Sequence, residues 1–366
     1  MKVAIVYDRI NKWGGAERVL LTLHEMFPDA PLYTSVYNPE TAKWASVFPK
    51  VYASFLQKIP FAKNHHEWFA ALMPLAFEQF DFSKYDLVIS VTSEFAKNII
   101  TGVNTKHVCY CLTPTRYLWS GYNEYFSNKY LRFFSKPVMS YIKKVDKVAA
   151  YRPDEMIAIS TEVRKRIKKY YERDSKIIFP PVDIDHSHRK NKFPRDFVAR
   201  NSFLLDSRYF LIVSRLVPYK KVDLAIRAFN QNSLPLVIVG TGSEEPKLKN
   251  MADSNIKFAG YVSEKDLEKY YRNCKALIFP QEEDFGLVAV EAMSFGKPVV
   301  AFKKGGALDI VIENKNGIFF EKQTVGSLNK AVKRFAKMKW SRDIIVFTSK
   351  RFSKERFKKE FLKVVK

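Results

Sequence analysis

Three cysteines in 366 residues, Cys109, Cys111 and Cys274, are too few for a disulfide framework and point to a reducing, cytosolic compartment. Cys109 and Cys111 fall on one face of a strand as reduced core residues. A zinc site would need a second pair, and the sequence has none. Long apolar runs are lacking too. None approaches the ~20 residues that a helix needs to cross a bilayer. The opening MKVAIVYDR has five apolar residues before Tyr7 and Asp8, a strand and not a secretion signal. Repeats and low-complexity tracts are missing. Acidic residues are in the minority: 38 Asp and Glu against 62 Lys and Arg leave a net charge of +24. That balance favours an anionic partner, whether nucleic acid, phosphorylated ligand or acidic membrane. No recognisable nucleic-acid motif accompanies it, and the basic residues are spread along the chain as on a solvated surface.

What remains is globular, with 47% hydrophobic and 27% charged residues in a length that predicts two domains. Strand patterns at 3–7, 86–91, 106–112, 155–160, 176–181, 209–214, 234–240, 256–260, 275–280 and 297–302 alternate with helical ones at 16–27, 221–231 and 264–273. Apolar strands spaced by helices predict parallel sheets covered on both faces, the doubly wound α/β class. A polar stretch at 182–205, following Pro180-Pro181 and broken by Pro194, is the natural boundary. The predicted layout is a Rossmann-like lobe over 1–185, a second over 186–350, and a helix over 351–366 packing back toward the first. Phe352, Phe357, Phe361 and Val364 should form that helix's apolar stripe. Two such lobes facing each other would leave a cleft, and ligands sit at the carboxyl ends of doubly wound strands.

The segment PQEEDFGLVAVEAMSFGKP (280–298) carries the sharpest chemical signal. Leu287 to Ser294 reads as helix, so Phe285-Gly286 falls at its N-terminus, where free amides favour oxygens and anions. Glu283 lies in the loop before it. Glu291 lies in the helix's second turn, where its carboxylate could accept both hydroxyls of a cis-diol such as a ribose. Two glutamates eight apart also arise in ordinary helices, since Glu is a good helix former. SRLVPYKK (214–221) places Arg215 and Lys220 at another strand's carboxyl end, two cations able to neutralise a diphosphate. Gly240 and Gly242, and the pair Gly305-Gly306, mark turns at further strand ends, where backbone amides can approach a phosphate. Each feature alone is weak, but all four lie in one lobe.

In order, SRLVPYKK, VGTGSEEPKL, FAGYVSEKDL, PQEEDFGLVAVEAMSFGKPVVAF and GGALDIV resemble the C-terminal lobe of the family 4 retaining glycosyltransferases, which have the GT-B fold of two Rossmann-like lobes. WGGAERVL (13–20), YCLTPTRYLW (110–119) and IIFPPVDID (177–185) resemble the bacterial mannosyltransferases that build surface polysaccharides. The resemblance implies a retaining hexosyltransferase that moves mannose from GDP-mannose to a hydroxyl of a glycan or a polyprenyl-diphosphate-linked acceptor. Arg215 and Lys220 would hold the donor diphosphate and stabilise the leaving nucleotide. Glu283 would bind the donor sugar and act with them in catalysis. The backbone of Phe285, Gly286 and Leu287 would meet sugar hydroxyls or phosphate, and Glu291 the ribose. Val262, Gly240 and Gly242 would complete the donor site, with Gly14 and Gly15 forming an open turn that faces the phosphates and the acceptor. A plain tight turn is the alternative for that glycine pair. No cofactor and no metal are implied, the nucleotide sugar being a substrate.

The sequence departs from the family pattern at Leu112, where a histidine often precedes Thr-Pro, at Lys221 in place of a glycine, and at Asp309 in place of a glutamate. His107 is roughly 16 Å from that place along an extended strand and does not substitute for it. These changes point to an altered sugar pocket. Asp183-Ile-Asp185 looks like a metal-binding DxD but reads equally as a linker, with His186 and His188 solvated beside it. His65-His66 lies in a Lys-, Trp- and Phe-bearing stretch (54–77), either a helical hairpin on its own core or a surface for acceptor or membrane. Basic segments at 141–147 and 163–176 could hold the protein at the inner face of an anionic membrane, at ~1 kcal/mol per Lys or Arg. The rival readings are a UDP-sugar transferase or a related nucleotide-sugar epimerase, and, on charge alone, a non-catalytic anion or nucleic-acid binder.

Overall fold

Strands such as Ala276–Phe279 and Val299–Phe302 are apolar at every position, so neither face tolerates water and both must be covered. The computed structural model describes residues 1–122, 129–184 and 209–366 and places these strands inside parallel sheets. The chain forms two compact units: Met1–Pro181 together with Lys354–Lys366, and Val182–Ser353. Asp185, His186 and His188 lie outside the described residues.

In the first unit the strands are β1 (Val3–Tyr7), β2 (Leu32–Thr34), β3 (Val51–Ala53), β4 (Leu87–Thr92), β5 (Lys106–Cys111), β6 (Glu155–Ala158) and β7 (Lys176–Ile177), in sheet order β3-β2-β1-β4-β5-β6-β7. In the second they are β8 (Phe210–Val213), β9 (Leu236–Val239), β10 (Ile256–Gly260), β11 (Ala276–Phe279), β12 (Val299–Phe302) and β13 (Gly317–Phe320), in order β10-β9-β8-β11-β12-β13. Strand order reverses between β1 and β4 in one sheet and between β8 and β11 in the other. Loops leaving the two strands at such a point diverge and leave room at their carboxyl ends. Each unit is thus a doubly wound, Rossmann-like lobe. Phe210, Ile212, Ile238 and Ile278 pack on one face of the second sheet in a core shared with Ile226, Phe229, Leu328 and Val332 of helices Val222–Asn232 and Val325–Ala336. The alternate residues Leu211, Leu277 and Phe279 are equally buried on the other face.

Several sequence expectations need adjustment. Strands β2, β3 and β13, three or four residues long, escape the alternation pattern because it needs more residues to show. Residues 54–77 form no helical hairpin: 3₁₀ turns Phe55–Lys58 and His66–Phe69 precede a short helix, Met73–Glu78. Pro60 and Pro74 remove amide donors in this stretch, and Phe61 takes a left-handed φ of 65° that interrupts it. His66 is buried there, and burial pushes its pKa down to about 4. His65 instead stacks on the exposed ring of Trp68.

The final helix, Lys354–Val365, buries Phe357, Phe361 and Val364. Phe357 and Phe361 meet Tyr110 of β5, and Lys354 and Lys358 pair with Glu25. Phe352 is not on that stripe. It closes the 3₁₀ turn Lys350–Phe352, and its ring packs edge-on against Phe285, so it stays with the second unit. Cys109 and Cys111 are buried in β5, where burial raises both thiol pKa values, that of Cys109 to about 11; both stay protonated and inert. No helix among the described residues is long and apolar enough to cross a membrane.

Candidate functional site

The loops after β8 and β11 leave the second sheet on either side of its reversal point, and they carry the predicted cations and carboxylate. After β8, Arg215 is exposed and its Nη2 donates to the Tyr219 hydroxyl at 2.7 Å. Lys220 closes the 3₁₀ turn Pro218–Lys220, and Lys221 follows in the left-handed region at φ 54°. Glycine is the natural residue for that conformation, so the lysine at 221 carries a local strain that the usual family glycine would avoid. After β11, Glu283 stands four residues before Leu287, the first residue of the helix Leu287–Ser294. The Lys220 ammonium bonds Glu283 Oε1 directly, and the two side chains are 13% and 17% exposed. Gln281, itself buried, donates to the same oxygen at 3.3 Å. The pair thus bridges β8 and β11 at the switch point, partly withdrawn from water, where charge interactions exceed those of a surface pair.

The helix behind Glu283 begins at Gly286, in a left-handed conformation with φ 111°, and no side chain caps it. Its first amides therefore remain available to a ligand beside Glu283. The Phe285 side chain is buried against Phe352 and anchors the loop. Glu291 is 9% exposed, and its Oε2 accepts the Tyr271 hydroxyl at 2.7 Å. Ala289, Val290, Ala292 and Met293 seat the helix in the core, which accounts for a carboxylate inside an apolar run.

The glycine turns also let neighbouring loops pack closely. A Cβ on Gly240 would lie 1.9 Å from Ser214 O, and one on Gly306 would lie 2.2 Å from Phe285 O. Gly242 approaches Leu216, and Gly305 approaches Glu283, in the same manner. Each pair lets one strand-end loop press against the loop that bears a site residue, with Leu216 N bonded to Thr241 O and Gly306 N to Glu283 O. Gly306 has ordinary helical φ, so the cost of a side chain there is steric alone. Gly306→Ala is expected to destabilise the second unit by about 1–3 kcal/mol in chemical denaturation. Gly102→Ala, with open space around it, is the neutral control. Equal stability of both variants would show that the 283–285 loop yields freely.

Val262 is half-buried after β10, an edge strand two strands away from β8, apart from the Lys220–Glu283 pair in the sheet order. Gly14 and Gly15 belong to the first unit. Gly14 is extended at φ −171°, so neither an open nor a tight turn demands a glycine there. A Cβ at Gly14 would lie 3.1 Å from Oε2 of Glu17. Glu17 is buried and accepts the Tyr7 hydroxyl at 2.8 Å, and burial raises its pKa.

The first sheet's reversal point is organised by Asp8, which follows β1 and is buried. Its carboxylate accepts Thr92 Oγ1, the Ser93 hydroxyl and the amides of Ser93, Glu94, Phe95 and Ala96 beyond β4. Arg9 pairs with Glu94 beside it. The TPTRYLW segment is tied down by Asp146, whose carboxylate takes Lys97 Nζ, Thr115 Oγ1, Trp119 Nε1 and the Tyr171 hydroxyl. His107 is buried against Ser90 Oγ, with its pKa pushed down to about 3 by burial; it is a neutral core residue. Gln281, Tyr271, Glu17, Asp8 and Asp146 had no sequence signal, because their partners come from other elements. Among the described residues no group of three or more His, Cys, Asp or Glu is arranged to hold a metal ion.

Residues 195–355 match the family described as Glycosyl transferases group 1. The uncharacterized glycosyltransferase MJ1178 of Methanocaldococcus jannaschii is 26% identical over 214 residues, 57% of either chain. The O-antigen chain mannosyltransferase C of Escherichia coli is 25% identical over 186 residues, 48% of this chain and 46% of the other. The chain spans about half the length of these curated relatives. Among solved structures, Anabaena Alr3699/HepE in complex with UDP-glucose superposes with a TM-score of 0.71 at 20% identity, over 100% of this chain and 99% of the other. That likeness is one of fold: the two Rossmann-like lobes are those of a GT-B protein.

Proposed function

From the premise that residues 195–355 are those of a group 1 glycosyl transferase in a GT-B fold, we propose that this chain moves a sugar from a nucleoside-diphosphate sugar to an acceptor hydroxyl. The single observation that carries the reading is the Lys220–Glu283 pair across the carboxyl ends of β8 and β11, in front of an uncapped helix N-terminus. A cation, a carboxylate and free amides within one loop cluster suit a ligand that is anionic at one end and hydroxylated at the other.

In this reading Lys220 and Arg215 bind the diphosphate, and the arriving anion competes with Glu283 for Lys220. Glu283, released or shared, accepts hydroxyls of the sugar. The bond from the sugar's anomeric carbon to the diphosphate oxygen breaks with both electrons going to the nucleotide, whose charge the two cations disperse. The acceptor oxygen bonds to the same face of that carbon, and its proton passes to the departing phosphate. The product then keeps the anomeric configuration, and no protein nucleophile is needed. The cations already neutralise the diphosphate, so we expect turnover without a metal.

The resemblance to surface-polysaccharide enzymes supports mannose as the sugar, GDP-mannose as the donor and a glycan or polyprenyl-diphosphate-linked acceptor. A net charge of +24 supports cytoplasmic work with peripheral attachment to an anionic membrane face. The test is a thermal-shift comparison of GDP, UDP and ADP, followed by turnover of GDP-mannose and UDP-glucose with a lipid-linked acceptor. A ligand present at about 100 times its Kd stabilises by about 2.7 kcal/mol, so the correct base stands out. GDP giving the largest shift, with transfer from GDP-mannose, is the expected result. A larger shift with UDP would move the assignment to a UDP-sugar, and no shift with any of them would overturn the reading.

A further inference from the structure

Glu291 sits on a buried helix face, yet a carboxylate there recognises a diol only if its plane is held in one orientation. The terminal torsion of a glutamate is broad, with no deep staggered wells to set it. The phenol of Tyr271, near the end of helix Glu264–Asn273, donates to Glu291 Oε2 at 2.7 Å. Tyr271 is itself rigid. It is 2% exposed, and its ring stacks on Phe295 at 5.5 Å with the planes 14° apart. Its carbonyl also accepts the Cys274 thiol at 3.3 Å. A phenol has one proton to give, and here it goes to one named oxygen of one carboxylate.

We propose that Tyr271 is a positioning residue that sets the Glu291 carboxylate to read the ribose of the nucleotide and thereby makes the donor site selective for ribonucleotides. The proposal rests on the reading of Glu291 as the ribose contact. A carboxylate oxygen can accept two hydrogen bonds, so donation from the phenol orients Oε2 without using its whole acceptor capacity. Removing the hydroxyl leaves the ring and its stacking in place and withdraws the one proton that the phenol gives to Glu291 Oε2.

The experiment is titration calorimetry of the full chain with GDP and 2′,3′-dideoxy-GDP, or with UDP and its dideoxy analogue if UDP gives the larger thermal shift. Wild type is expected to prefer the ribonucleotide by about tenfold, the scale of a charged hydrogen bond. Tyr271→Phe should cut that preference to about threefold or less, while affinity for the dideoxy analogue changes less than twofold. Because the ratio is taken within one variant, a partly destabilised protein still gives a valid reading. Tyr271→Met carries the same expectation if Tyr271→Phe does not fold. A wild type without preference would remove Glu291 from the ribose and the proposal with it. A wild type that discriminates beside a Tyr271→Phe that discriminates equally overturns the proposal alone. So does an equal loss for both nucleotides, which marks Tyr271 as merely structural.

Discussion

Lys220→Ala is expected to lower kcat/KM for the nucleotide sugar by about 10²–10³-fold, the loss typical when one preorganised partner of a developing charge is removed. Two effects act in the same direction. The leaving diphosphate loses a cation, and Glu283 loses its partner in a loop where it is only 17% exposed. An unpaired carboxylate there repels the anion that must bind. Glu283→Gln makes the opposite change. It frees Lys220 for phosphate, so affinity for the free nucleoside diphosphate should hold or tighten while kcat falls. The two variants therefore separate in nucleotide binding even where both lose turnover. Titration with GDP and UDP reads the sign directly, and equal weakening by both substitutions would sink the assignment of phosphate to Lys220 and sugar to Glu283.

The second large effect is expected in stability. Asp146 has no exposed surface and is bonded by Lys97, by Thr115 and Trp119 of one segment, and by Tyr171. Asp146→Ala strands the Lys97 ammonium, 1% exposed, with the Glu94 carbonyl as its other acceptor. Breaking a buried ion pair from one side costs about 3–5 kcal/mol. Removal of both charges, as in Lys97→Met with Asp146→Leu, should recover part of that loss. Two compact units need not unfold together, so one transition should move and the other stay. Trp340 is the tryptophan of the second unit and the other four lie in the first, so urea unfolding of a Trp340→Phe background isolates the first. A shift below about 1 kcal/mol would mean that the network is solvated or slack.

Features written in short contiguous stretches are legible in the sequence. The helix Leu287–Ser294 was delimited to the residue, because Gly286 starts it and Phe295-Gly296 ends it. The helix Glu264–Asn273 is equally clear from its periodic pattern, and the Ser263 side chain caps it. Arg215 and Lys220 were placed after β8 because a run of apolar residues ends abruptly at Ser214. The glycines stand out in the sequence as turns at strand ends, but the close packing they allow does not show there. A sequence shows that a side chain is missing, and cannot show that the space is filled by Ser214 or by Phe285. Phe352 was misplaced similarly, since its spacing to Phe357 imitates a helical stripe while its ring is held by Phe285.

By itself the order of residues determined the doubly wound class, the lobe that matches the family, and which side chains are chemically able to act. Hydrophobic period, glycine and proline act over a few residues, and those statements need nothing longer. Tertiary structure decided which of those side chains meet. Lys220 and Glu283 are 63 residues apart, Tyr271 and Glu291 20 apart, and Lys97 and Asp146 49 apart. Each contact depends on strands brought side by side in a parallel sheet, whose crossovers let distant stretches end at the same edge. A charge placed there gains or loses by its neighbour across the sheet, and no local pattern in the chain encodes who that neighbour is.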